Sequence, residues 1–261
     1  MKKRFLFGFV IVAILAAAGG YYYWSTREEP ITDARLLEIK SRGKLLVAAE
    51  ATYEPMEYLD ENGEMVGFDM DLARGIANSL GVAVEFVNTP WDDIFTNLNA
   101  KQYDMIVSSV TILPERLKDM SFSDPYFNAG QTMIVTKTNT SIKSPQDLVG
   151  KKVGLQKGTT SEPVVITYAG EDAIVDYNDY GPAPQDLRDG KIDVIVIDYP
   201  AGLGIIGSNE DLKMVGDPFT QEFYGVAIRK EDTALISFVN KTIRTMKQDG
   251  SLKTIEDKWF K

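Results

Sequence analysis

From Gly43 onward, short runs of β-branched residues alternate with helical stretches, and this alternation constrains the fold more than any other feature of the sequence. The strand-like runs cover residues 45–49, 82–87, 105–108, 132–136, 152–155, 174–177, 194–198 and 224–229. The helix-like runs cover residues 69–80, 91–99, 161–169, 184–189, 200–206, 234–248 and 252–260. Such alternation predicts an α/β fold with largely parallel sheets.

The sequence also repeats a pattern within itself. In residues 98–107 (LNAKQYDMIV) and again in residues 187–196 (LRDGKIDVIV), a helical stretch ends, a polar turn carries a lysine, and an aspartate opens an apolar strand. One interpretation is that α/β units simply look alike. The other, which we favour, is two related lobes: residues 31–135 with 228–261 in lobe 1, and residues 136–227 in lobe 2. Two crossovers between such lobes form a hinge beside a cleft.

The first thirty residues are set apart from this fold. Lys2, Lys3 and Arg4 precede an uncharged, mostly apolar run at residues 5–24, which predicts an N-terminal apolar helix. Because the run ends in three tyrosines and a tryptophan, we favour a membrane anchor with an interfacial aromatic belt. The alternative is a signal peptide cleaved after the small residues 16–18. Both place the remaining chain outside the cytoplasm, in the periplasm or at the cell surface, because the positive charges come first.

Composition excludes several classes of function. The 261 residues contain no cysteine and no histidine, which excludes disulfides, thiol nucleophiles, Ser-His catalysis and nearly all zinc sites. The net charge of −10 is unfavourable for nucleic acid, because phosphate binding needs a basic surface. We therefore expect no nucleic-acid partner, no metal and no cofactor.

Several motifs occur in order along the chain. The most specific is YDMIVSSVTILPER at residues 103–116, followed by FSDPY at residues 122–126. Shorter motifs accompany it, at residues 50–58 (EATYEPMEY), 67–72 (GFDMDL), 158–160 (GTT), 197–198 (ID), 249–250 (DG) and 259–260 (WF). Together they resemble the solute-binding proteins of polar amino acid ABC transporters over roughly residues 35–261. The resemblance implies the two-lobed type II periplasmic-binding-protein fold, a free amino acid as ligand, delivery to an ABC permease, and a monomer without catalytic residues.

The resemblance also implies a clamp for the ligand carboxylate. Arg116 matches the arginine of the family, and its planar fork suits a carboxylate. Thr111 and the backbone around Ser109 add donors to the same group. Thr159 and Thr160 belong to the short motif before a helix, whose first backbone amides and dipole also favour an anion.

Other positions of the family pattern address the remainder of the ligand. Asp198, at the carboxyl end of a strand, matches the partner of the ligand ammonium, and Tyr53 and Trp91 match two aromatic walls around its side chain. Glu50 matches a position facing the far end of the ligand, where a carboxylate favours a basic amino acid and repels an acidic one. Arginine is therefore the favoured ligand, and glutamine or cystine are the alternatives. Lys157 argues against a cationic ligand only where its side chain points inward.

Two rival functions remain. One is an enzyme similar to cyclohexadienyl dehydratase on the same fold, with Glu162 as the candidate general acid. Asp198 discriminates against it, since an ammonium partner is of no use to a substrate without an ammonium group. The other rival is a sensor or adaptor domain, which normally continues through a membrane into a signalling module.

Overall fold

The structure is a computed structural model, and it describes residues 33–260. The strands are β1 (Lys44–Ala49), β2 (Thr52–Tyr53), β3 (Glu57–Leu59), β4 (Met65–Val66), β5 (Ala83–Asn88), β6 (Met105–Ile106), β7 (Met120–Phe122), β8 (Phe127–Ala129), β9 (Gln131–Thr136), β10 (Val153–Gln156), β11 (Ile174–Tyr177), β12 (Val194–Asp198), β13 (Leu212–Val215), β14 (Glu222–Tyr224) and β15 (Ala227–Arg229). The helices are α1 (Ala34–Arg42), α2 (Phe68–Leu80), α3 (Trp91–Asn99), α4 (Ser161–Ala169), α5 (Ala183–Arg188), α6 (Tyr199–Ser208), α7 (Thr233–Asp249) and α8 (Ser251–Phe260). Short 3-10 turns lie at Arg116–Lys118, Pro145–Leu148 and Glu171–Ala173.

Two five-stranded sheets share one arrangement. Their strand orders are β5-β1-β6-β15-β7 and β11-β10-β12-β9-β13. In each sheet the second strand pairs in parallel with the first and third, whereas the fourth is antiparallel to both of its neighbours. This equivalent order is what two related lobes would show.

The antiparallel strands correct one prediction. We predicted largely parallel sheets, but each sheet is mixed. The physical reason is the crossover. β9 and β15 each enter their sheet from the other lobe, not over a crossover helix of the same lobe, so they run opposite to the strands beside them.

The two crossovers pair with each other. β8 leads from lobe 1 to lobe 2, β14 leads back, and the two are antiparallel with Tyr224 opposite Phe127. The predicted run at residues 224–229 is thus two strands, one in this hinge and one in a sheet. The lobe boundaries at residues 135/136 and 227/228 stay a prediction; strand pairing favours residues 127–129 and 222–224 as the crossing points.

The final helices return to lobe 1, as expected from the sequence. Leu235 and Val239 of α7 and Leu252 of α8 share one core cluster with Leu45 of β1 and Ile76 of α2. Lobe 2 is built around separate clusters on the two faces of its own sheet. The apolar segment at residues 5–24 lies outside the described residues. Within residues 33–260, no helix has the length and apolar character needed to cross a bilayer.

Candidate functional site

Four strand ends supply most of the site. Glu50 follows β1 and Ser109 follows β6 in lobe 1, while Thr160 follows β10 and Asp198 ends β12 in lobe 2. These four strands are parallel strands of their sheets. Ligands of open α/β sheets bind at the carboxyl ends of such strands, so the fold itself brings the two groups of side chains face to face across the cleft.

One cavity lies between the lobes. Every site residue predicted from the sequence lines it, namely Glu50, Tyr53, Trp91, Ser109, Thr111, Arg116, Thr159, Thr160 and Asp198. Glu57, Ser108 and Gln156 complete the lining. A cleft lined in this way by polar and aromatic side chains of both lobes suits a small-molecule ligand. Within residues 33–260, no group of three or more acidic side chains is arranged to hold a metal ion.

Arg116 is oriented by its own loop and by two aromatic rings. Its Nη1 donates to the Thr111 carbonyl at 3.0 Å, and the guanidinium carbon lies 5.4 Å from the Trp91 ring centre and 5.2 Å from that of Phe95. Burial lowers the pKa of Arg116, and the nearby Asp198 opposes this effect. The guanidinium is thus held at the cavity wall, with most of its donors unused by the described residues.

Asp198 is a buried carboxylate with only neutral donors. Its Oδ1 accepts from Gln131 Nε2, and its Oδ2 accepts from the Tyr224 hydroxyl. Burial, followed by repulsion from Glu222, raises the pKa of Asp198 to about 7. A cation placed beside this carboxylate would relieve both effects, so the position suits an ammonium group.

The hydroxyl groups expected to help the carboxylate clamp have other partners. The Ser109 N–H donates to Asp69 Oδ2 at 2.6 Å and its hydroxyl to Glu57 Oε2 at 3.1 Å. Thr111 Oγ1 donates to Glu222 Oε2 at 3.1 Å. Ser109 therefore shapes the cavity wall, but its own N–H and O–H are already used.

The N-terminus of α4, which belongs to lobe 2, has no side-chain cap. Thr160, the residue before this helix, makes no side-chain cap, and its hydroxyl accepts from Gln131 Nε2 at 3.0 Å. Thr159 Oγ1 donates to the Gln156 carbonyl at 2.8 Å. With the side chains engaged in this way, the first backbone amides of α4 are the groups that remain for an anion.

Glu50 joins the two lobes. Its Oε1 accepts from the Trp91 N–H at 3.2 Å, and its Oε2 accepts from Gln156 Nε2 at 2.7 Å. Burial raises the pKa of Glu50, although these two hydrogen bonds favour the ionised form. A second cross-lobe contact runs from Trp91 Nε1 to the Gly158 carbonyl at 3.2 Å. Lys157 is exposed and does not line the cavity, so its charge does not oppose a cationic ligand.

Some residues near the cavity were overlooked in the sequence. Glu57 lies inside a motif that we quoted only for its neighbours, and Gln131 and Glu222 lie on strands next to the hinge. Each of these three side chains is buried in the structure. The only signal in the sequence was a polar residue next to apolar strand residues. Glu162, the candidate general acid, lies outside the cavity lining, and its carboxylate accepts from the Gly158 N–H at 3.1 Å.

Comparison with known sequences gives a consistent result. Residues 45–261 match the profile of the bacterial extracellular solute-binding proteins, family 3. The L-cystine-binding protein TcyJ of Escherichia coli K12 is 37% identical over 227 residues, which is 86% of this chain and 85% of that protein. The ABC transporter arginine-binding protein 1 of the same organism is 32% identical over 222 residues, covering 83% of this chain and 90% of the relative.

Solved structures show the same architecture. An ancestral arginine-binding protein bound to arginine superposes with a TM-score of 0.80 at 43% identity, covering 84% of this chain and 99% of that one. The ancestral amino acid-binding protein AncCDT-1, a precursor of cyclohexadienyl dehydratase, gives a TM-score of 0.82 at 40% identity, over 87% of this chain and 100% of its own.

Proposed function

Because this chain belongs to the bacterial extracellular solute-binding proteins, family 3, we propose that it binds a free amino acid in its interlobe cavity and delivers it to an ABC permease. Delivery follows lobe closure, because contacts between the lobes stabilise a closed state that the permease recognises. Both lobes come from one chain, so we expect the protein to work as a monomer.

The observation that carries the proposal is the pairing of charges around one cavity. Arg116 and Asp198 both line it, one from each lobe. An α-amino acid presents a carboxylate and an ammonium a few ångströms apart, and removing both from water is costly unless each meets an opposite charge. Arg116 with the start of α4 meets the first group, and Asp198 meets the second.

Glu50 and the aromatic side chains set the ligand class. Tyr53 and Trp91 provide apolar surface for a side-chain stem, and Glu50 lines the cavity with a carboxylate. A cationic head gains a charge-assisted hydrogen bond there, whereas an acidic head is repelled. Arginine is therefore the proposed ligand, consistent with the ancestral arginine-binding structure. Glutamine and cystine are the neutral alternatives.

Binding without catalysis is the second part of the proposal. AncCDT-1 shows that this fold is related to a dehydratase. In this chain, however, the acid that we considered for such a reaction lies outside the cavity lining. Mass spectrometry of small molecules released by denaturing the purified protein, followed by incubation of the protein with each of them, tests both parts. Recovery of intact arginine supports the proposal, whereas recovery of a chemically altered product contradicts it.

The N-terminal segment carries a separate proposal. We infer from residues 5–24 that the protein is held at the outer face of the cytoplasmic membrane by an uncleaved helix. Mass spectrometry of the mature N-terminus tests this. A chain that keeps Lys2 and fractionates with membranes supports an anchor, and a soluble chain beginning at Gly19 or Tyr21 contradicts it.

A further inference from the structure

A pair of buried acids lies at the cavity wall, which Glu57 lines and Asp69 does not. Glu57 of β3 and Asp69 of α2 are 2% and 0% exposed, respectively. Within the described part of the chain, neither carboxylate lies within salt-bridge distance of a lysine or arginine. Two buried anions without a cation are strongly unfavourable, so this pair needs another source of stabilisation.

Three of the four carboxylate oxygens have donors. Glu57 Oε1 accepts from the Ser108 hydroxyl at 3.0 Å, and Oε2 accepts from the Ser109 hydroxyl at 3.1 Å. Asp69 Oδ2 accepts from the Ser109 N–H at 2.6 Å and from the Tyr126 hydroxyl at 2.8 Å. Asp69 Oδ1 is buried and has no donor among the ordinary polar groups of the described residues.

A proton on Glu57 would supply the donor that the fourth oxygen, Asp69 Oδ1, lacks. Burial and the neighbouring Asp69 raise the pKa of Glu57 well above its usual range. Burial also raises the pKa of Asp69 to about 7, and a hydrogen bond from Glu57 counteracts part of that rise. The two groups titrate as a coupled pair, and burial and mutual repulsion make the pair hold a proton more tightly than either acid does in water.

Ser109 donates a hydrogen bond to each of the two acids. Its φ of +49° is in the left-handed region, which a serine adopts only when its surroundings fix it there. One acid accepts its N–H and the other its hydroxyl. Ser109 lines the cavity, and two residues later the Thr111 carbonyl orients Arg116.

We propose that Glu57 and Asp69 share one proton at neutral pH, and that this protonated pair is the positioning device that fixes the Ser109 turn against the cavity. Neither acid needs to touch the ligand for this role. The proposal holds for any occupant of the cavity, so its first tests use the ligand-free protein.

Several titratable groups surround the pair. Those that interact electrostatically with Glu57 or Asp69, or line the cavity together with Glu57, are Glu50, Tyr53, Tyr126, Tyr224, Arg116 and Asp198. The tyrosines remain neutral in the relevant range, since burial raises the pKa of Tyr53, Tyr126 and Tyr224. Glu50 adds a further negative charge, which favours retention of the shared proton.

The first test is the pH dependence of the free energy of unfolding, measured by urea titration. An acid whose pKa is raised by folding stabilises the protein fully at acidic pH, and this contribution is lost as the pH rises through the folded-state pKa. We expect Glu57→Gln to lose much of the resulting slope above about pH 5, because the amide needs no proton. Glu54→Gln removes an exposed carboxylate from the same segment and should keep the wild-type slope.

Two further readouts separate positioning from mere packing. Infrared spectroscopy of the wild type at neutral pH should show a protonated carboxyl band that is lost in Glu57→Gln. Amino acid affinity should fall with alkaline pH more steeply in the wild type than in Glu57→Gln, by up to about tenfold per pH unit. The amino group of the ligand titrates in the same way with both proteins. The difference between the two affinity profiles therefore reports the titration of the Glu57–Asp69 pair.

An equal pH dependence of the free energy of unfolding in the wild type and in Glu57→Gln would overturn the proposal. Should that variant not fold, the absence of any protonated carboxyl band in the wild type at neutral pH overturns it equally. Identical affinity profiles would contradict the positioning role. A protein that binds no amino acid would refute the proposed function, while the two ligand-free measurements would still judge the acid pair.

Discussion

Gln156 Nε2 donates to Glu50 Oε2 at 2.7 Å, and this hydrogen bond joins lobe 2 to lobe 1 at the cavity wall. Gln156 also donates to the Asn178 carbonyl at 2.7 Å, so it is fixed within its own lobe. The residue that we expect to choose the ligand is thus also part of the contact that closes the lobes. Ligand choice and closure are coupled through one carboxylate.

The two roles of Glu50 can be separated by mutation. Glu50→Gln should reduce arginine affinity by about 1.5 to 3 kcal/mol, as expected for a charge-assisted hydrogen bond, and should cost glutamine much less. Gln156→Ala removes the contact between lobes but keeps the Glu50 charge, so it should weaken both ligands to a similar extent. Calorimetry with both amino acids measures the two effects. Equal losses of arginine and glutamine in Glu50→Gln would mean that its charge does not reach the ligand.

Arg116 should be required for the ligand carboxylate. We expect Arg116→Ala to lose about 2 to 5 kcal/mol of binding free energy, because a desolvated carboxylate is left without its partner. Arg116→Lys should recover only part of it, because the planar fork is lost. Arg244→Ala, at an exposed surface arginine, is the matched control and should bind normally. Wild-type affinity in a folded Arg116→Ala would place the clamp elsewhere.

Gly204 allows the lobes to approach. A Cβ at this position of α6 would lie 2.1 Å from the Glu54 carbonyl oxygen of lobe 1. Gly204→Ala should therefore disfavour the closed state and lower ligand affinity by about tenfold or more, in proportion to the closed population that is lost. Solution scattering should show the variant more open with ligand present.

A matched control lies on the same helix. A Cβ added at Gly207 would meet no atom of the surrounding structure within 4 Å. Gly207→Ala should therefore bind normally and be slightly more stable, because alanine favours the helix by up to about 1 kcal/mol. Similar ligand affinities for the Gly204 and Gly207 variants would show that the close contact between Gly204 and the Glu54 carbonyl does not limit lobe closure.

Asp198 should make binding depend on pH. Its pKa is raised to about 7 in the absence of a ligand, and an ammonium group beside it favours the ionised form. Below that pH, binding must displace a proton, so affinity should fall as the pH drops from about 7 to 5, by up to tenfold per unit. Calorimetry in buffers of different ionisation enthalpy counts the released protons. Asp198→Asn should bind weakly and release none, and unchanged proton release in that variant would assign the proton to another group.

Particular residues show how far sequence reasoning reached. The bounds of α3 and α4 were predicted to the residue. α3 follows Pro90 and has a marked apolar face, whereas α4 is delimited by the polar turn at residues 158–160 and by Gly170. The predicted site residues meet in one cavity because they follow strand ends, and strand ends converge in this fold.

Other features are invisible in the linear sequence. β8 and β14 are only three residues long, and the whole of lobe 2 separates them in the sequence. Because they pair with each other, no local pattern predicts them. The Ser109 N–H and the Thr111 hydroxyl were expected to be available to the ligand, but they donate to Asp69 and Glu222, respectively. Long-range pairing of buried polar groups depends on tertiary structure, and composition or spacing does not encode it.

The central claim is that the cavity recognises an α-amino acid by both of its charged groups. Calorimetric titration of the ligand-free protein with L-arginine and with agmatine, which keeps the guanidinium and the ammonium but lacks the carboxylate, tests this claim most directly. We predict one-to-one binding of L-arginine, and agmatine weaker by about 2 kcal/mol or more, because Arg116 and the start of α4 then lack their anion. Equal affinity for the two compounds, or no heat from any α-amino acid, would contradict the account.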